Sequence, residues 1–97
     1  MTMQRPVFSV DFNEMVDFDL VLLSAEDSKV DASGATIQLR EGMMISIYMD
    51  DFDDAGNADN LVATGVVEKN SKSGWANHVR WCCRIDRDGV LPQSEIS

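Results

Sequence analysis

The chain has 97 residues, enough for one domain with one hydrophobic core and too few for a separate catalytic partner domain. Apolar residues at 44% and charged residues at 26% match ordinary globular usage, which excludes a disordered tail or a disulfide scaffold. A formal charge of −9 opposes broad attraction to nucleic acid or anionic membranes, no apolar run nears the ~20 residues of a span, and Met1 to Val10 lacks an export pattern, so the expected compartment is the cytoplasm.

In chain order, Phe8, Val10 and Phe12 alternate with Ser9 and Asp11 and predict a short first strand, with Pro6 suiting a strand start or an edge. The stretch from residue 13 to 24 reads two ways. Phe12, Val16, Leu20 and Leu23 recur at helical spacing behind the capping residues Asp11 and Asn13, which fits a short helix over Glu14 to Ser24. Phe18, Leu20 and Leu22 also alternate with Asp19 and Val21, and the balance favours a strand over Phe18 to Ala25.

Farther along, Thr36 to Leu39 and Met43 to Met49 alternate as half-buried strands do. Leu61 to Glu68 forms another apolar run, and Gly65 inside it predicts a bulge or bend. From His78 to Asp86, Val79, Trp81, Cys83 and Ile85 fall on one face, with His78, Arg80, Cys82, Arg84 and Asp86 on the other. Val90 and Leu91 add a last short strand, and Gln93 to Ser97 are expected to fray. Five glycines in polar surroundings, at 34, 42, 56, 74 and 89, mark turns, the last read as a hairpin.

Six or seven strands in so short a chain must bend to bury one face. The expected fold is therefore all-β, a single domain over residues 1–97 built as a small, strongly bent antiparallel sheet or barrel. The last four strands fit an SH3-like arrangement in their order of strands, long acidic loop, bent strand and turns. That comparison concerns architecture and carries no function.

Charge divides the chain unevenly. From Asp11 to Asp59 there are thirteen acidic residues against Lys29 and Arg40, a balance of −11, whereas residues 60–97 balance to +1. The loop Asp50 to Asn60 holds the densest acid. Counted as a calcium loop from Asp51, it places Asp53 and Gly56 suitably but puts Ala55 and Val62 where ligands are needed, so no metal is assigned. Cys82 and Cys83 are adjacent and point to opposite faces of a strand, which disfavours a mutual disulfide. With His78 they give three ligands where structural zinc takes four. Cys83 is expected to be buried and Cys82 free and half-exposed. No nucleophile elbow, phosphate-cradling loop or defined carboxylate pair occurs, so neither a catalytic residue nor a cofactor is assigned, and the chain reads as a non-enzyme.

Three functional expectations follow. The first is a binding or regulatory module, of inhibitor or immunity type among others, whose acidic face of Asp50, Asp51, Asp53, Asp54 and Asp59 meets a basic protein partner. The second is a basic and aromatic face of Lys69, Lys72, Trp75, His78, Arg80 and Arg84 that holds nucleic acid or a small anion, nucleic acid standing behind protein because the rest of the molecule repels it. The same arginines are equally explained by pairing with Glu68 or with the acidic half. The third is self-association into a homodimer, because Val21, Leu23, Met44 and Val62 fall opposite the assigned core.

Overall fold

The computed structural model describes residues 5–71, 74 and 77–95. The chain is all-β, with nine strands among these residues: β1 (Val7–Ser9), β2 (Met15–Asp17), β3 (Leu20–Ser24), β4 (Ser28–Val30), β5 (Thr36–Gln38), β6 (Met44–Met49), β7 (Leu61–Lys69), β8 (Trp81–Ile85) and β9 (Leu91–Pro92). A 3-10 turn over Gln93–Glu95 follows. No helix among the described residues is long and apolar enough to cross a membrane.

Seven strands form one sheet in the order β1-β6-β7-β8-β3-β2, with β9 also on β7, and β4 and β5 form a separate hairpin. The sheet is mixed rather than antiparallel, because β1 runs parallel to β6. It cannot be flat, and chain connectivity explains why. Crossing five strand intervals of ~4.8 Å takes ~24 Å on a flat sheet, whereas the six Cα steps from Ser9 to Met15 reach ~20 Å at full stretch. A turn closed by the Glu14 amide on the Asp11 carbonyl, at 2.9 Å, shortens that link further. The two edges are drawn toward each other but do not pair, so the expected barrel, SH3-like or otherwise, stays open.

The concave inner face holds the main core: Phe8 from β1, Ile45 and Ile47 from β6, Ala63 and Val67 from β7, and Trp81, Cys83 and Ile85 from β8. Leu39 and Ile37, from β5 and the residue after it, pack into the same core. Trp81 and its alternate companions thus line the interior. Val79 does not join them: β8 begins at Trp81, and Val79 belongs to a second cluster with Leu20, Leu22 and Cys82 on the outer face, where Val16 packs against it.

Burial of β3 and β8 on both faces corrects two further expectations. Cys82 is fully buried rather than half-exposed, because the outer face at this end is covered. Val21 and Leu23 are core residues and form no outer apolar patch, since β3 is buried on both faces. Of the two readings of residues 13–24, the favoured strand is the one found: β3 pairs with β2 there and no helix forms, although Phe18, expected in the strand, sits in the turn between them, 89% exposed.

Two glycine effects shape the sheet. Gly65 lies where a Cβ would meet the Arg84 carbonyl oxygen at 2.3 Å and the Cys83 Sγ at 2.7 Å, so only glycine lets β7 and β8 approach this closely. Elsewhere one turn design recurs: Asp31-Gly34, Asp53-Gly56 and Asp86-Gly89 each join an aspartate to a glycine three residues on. In each, the glycine amide donates to the aspartate carbonyl at 3.0 Å, and the carboxylate accepts a backbone N–H inside the turn. The glycines take φ of +90°, +83° and +70°, a region that favours glycine.

The Gly89 turn is not a hairpin. After Ile85 pairs with Gly65, the chain loops out over Asp86 to Val90 and returns to the same strand, where Leu91 pairs with Val62. That excursion shapes the site described next.

Candidate functional site

Register fixes which outer-face side chains are neighbours. One row runs Met44, Val66, Arg84, Leu20; the next holds Val7, Ser46 and Thr64; another holds Tyr48, Val62 and Leu91. The Arg84 row closes off the covered end. Its guanidinium donates from Nε to Glu68 Oε2 at 3.0 Å, from Nη2 to Glu68 Oε1 at 3.2 Å, and from Nη1 to Asp19 Oδ1 at 2.6 Å. This fork holds the Glu68 carboxyl below its ordinary range and raises the guanidinium's own pKa.

Beyond that row the described residues leave the outer face open. Val7, Tyr48, Val62 and Leu91 floor a groove of about 780 Å³. Asp86 and Asp88 from the Gly89 excursion and Glu95 from the 3-10 turn also line it, and no Lys, Arg or His does so among the described residues. Asp86 is anchored: its amide donates to the Thr64 carbonyl at 2.9 Å, and its carboxylate accepts from the Thr64 hydroxyl.

The acidic hairpin adjoins this groove. Asp50 to Asn60 continues β6 and β7 as a narrow ribbon, with a bridge between Phe52 and Ala58 and the Asp53–Gly56 turn at its tip. Two of the five acidic-face residues have structural duties. Asp53 Oδ1 accepts the Ala55 and Asn57 amides, each at 2.9 Å. Asp59 accepts the Ser94 amide and hydroxyl, both at 2.9 Å, which pins the 3-10 turn where fraying was expected. Asp50, Asp51 and Asp54 are exposed, and the arginine ion pairs among the described residues involve Asp19, Asp27 and Glu68 instead. Phe52, 67% exposed among these acids, was not singled out by sequence reasoning; its position inside the aspartate run was the available signal.

The basic residues do not form one face. Arg84 is engaged by Glu68 and Asp19. Arg80 pairs with Asp27 at 3.2 Å, and Asp27 also accepts the Trp81 indole N–H at 3.0 Å. Lys69 and Arg80 line a separate polar concavity of about 680 Å³ together with Arg40, which sequence reasoning left out. His78 is exposed nearby in the chain, and Lys72 and Trp75 lie outside the described residues.

Cys82 and Cys83 are buried in the interior as thiols, neither of them in a disulfide. Burial pushes the Cys83 thiol up to about 12. No group of three or more His, Cys, Asp or Glu side chains is arranged to hold a metal among the described residues. No family model, no curated protein and no solved structure matches the chain.

Proposed function

We propose that this protein is a non-catalytic binding module whose acidic surface engages a basic protein partner. The observation that carries this reading is the hairpin in which Asp50, Asp51 and Asp54 are exposed in the same run as the exposed Phe52 and lie outside the arginine ion pairs found among the described residues. An exposed aromatic within an acidic run combines apolar contact area with charge that favours cationic partners and speeds their encounter. The regulatory, inhibitor-like version of this role rests on the same surface.

The test compares wild type with the triple variant Asp50→Asn/Asp51→Asn/Asp54→Asn in affinity capture at low salt and at about 0.15 M salt. A basic protein retained by wild type, weakened by salt and lost with the variant supports the reading. Retention indifferent to both overturns it.

A second reading has one specific observation behind it. Arg40, Lys69 and Arg80 line one polar concavity in which Asp27 is the single carboxylate among the described residues, which suits a small anion better than an extended polyanion. Phosphate titration monitored at the Lys69 and Arg80 amides tests it, and unchanged amide shifts remove it.

A further inference from the structure

Resting on the acidic-module reading, we infer that the outer-face groove seats an extended segment of the basic partner, with an apolar side chain on Val62 and Leu91 and flanking Lys or Arg side chains at Asp88 and Glu95. Three observations converge on this occupant. The floor is apolar and made by strand side chains that the sheet leaves uncovered there, whereas the same face is sealed at the Leu20–Cys82 end. The charged residues lining it are Asp86, Asp88 and Glu95, all acidic, so an anionic occupant is repelled and a neutral one leaves the charge unused. The Asp59–Ser94 clasp joins the groove's margin to the base of the acidic hairpin, so a bound chain leaving the groove meets the second acidic surface directly.

Continuity favours a polypeptide over a small organic cation. A compact cation fills the groove alone, while a chain gains from both surfaces. The two carboxylates proposed to contact it, Asp88 and Glu95, are exposed, so their removal tests binding without disturbing the core.

The probe is a fluorescein-labelled Lys-Leu-Arg-Leu-Lys amide, titrated into the full chain and followed by anisotropy. The double variant Asp88→Asn/Glu95→Gln is expected to weaken binding about tenfold, two rim charges at ~0.7 kcal/mol each. Val62→Lys, checked for folding by circular dichroism, is expected to weaken it at least as much. If both groove variants bind like wild type while Asp50→Asn/Asp51→Asn/Asp54→Asn abolishes binding, the groove inference falls and the acidic-module reading stands. If none of the variants matters, both fall. Displacement of the peptide by spermine at equal charge assigns the groove to small polycations, and loss of peptide binding on formation of a dimer assigns it to a second copy; either result overturns the inference.

Discussion

The indole N–H of Trp81 donates to Asp27 Oδ1 at 3.0 Å, tying the largest inward side chain of β8 to the turn that leads into β4. The other oxygen of that carboxylate receives Arg80 at 3.2 Å, so one aspartate fixes two consecutive residues of the same segment. Asp27→Ala leaves the indole donor of a nearly buried ring without its acceptor and is expected to cost about 1–2 kcal/mol. Chemical denaturation measures the loss, with a changed near-ultraviolet circular dichroism band reporting the tryptophan. Asp27→Asn, which keeps an acceptor, is expected to recover most of it.

Glycine substitutions separate two kinds of constraint. Gly65→Ala drives a methyl group into a backbone carbonyl and a buried sulfur, and is expected to cost about 3 kcal/mol, lowering Tm by ~10 °C or more. Gly89→Ala meets open space but must hold φ at +70°, for a cost of about 1 kcal/mol. Thermal melts of the two variants test the ranking. Equal losses would contradict the close β7–β8 approach.

The Arg84 fork gives stability a pH dependence with a defined sign. Glu68 has a depressed folded-state pKa, so its contribution is present above the ordinary glutamate value of 4.5 and is lost as pH falls through the folded value. Arg84→Ala removes the partner and leaves two carboxylates close together. Because all three side chains are partly exposed, the loss at neutral pH is expected to be about 1 kcal/mol after solvent screening. Denaturation at stepped pH should show the gap between wild type and variant narrowing on acidification below about 4.5.

Both thiols should resist modification in the native state. Cys82 and Cys83 are fully buried, and the Cys83 thiolate is disfavoured by burial first and by the Asp86 charge second. Iodoacetamide at neutral pH is expected to label neither until denaturant is added, whereupon both react. Fast native labelling of Cys82 would show that the second cluster does not cover it.

Strands whose two faces meet different solvents were legible in the sequence. The alternation of Ile45 and Ile47 with Ser46 and Tyr48, and of Trp81, Cys83 and Ile85 with Arg84, set both the strands and their inward faces. Alternation says nothing where both faces are buried, which is why Val21 and Leu23 were assigned outward and Cys82 half-exposed. It also fails for Ser28–Val30, a three-residue strand between aspartates with no apolar period, and it carries no strand direction, so the parallel β1–β6 pair was invisible. For the site, the acidic run was plain in the sequence. That Asp53 and Asp59 serve the backbone, and that Arg84 is held by Asp19 across 65 residues, depends on long-range pairing that composition does not encode.

The claim that the acidic surface is the binding surface is tested most directly by mapping backbone amide shifts while the Lys-Leu-Arg-Leu-Lys amide is titrated into the labelled full chain. The account predicts perturbations concentrated at Asp50–Asn60 and at Asp86–Glu95, shrinking as salt is raised. Perturbations centred instead on Arg40, Lys69 and Arg80, or spread evenly without salt dependence, would contradict it.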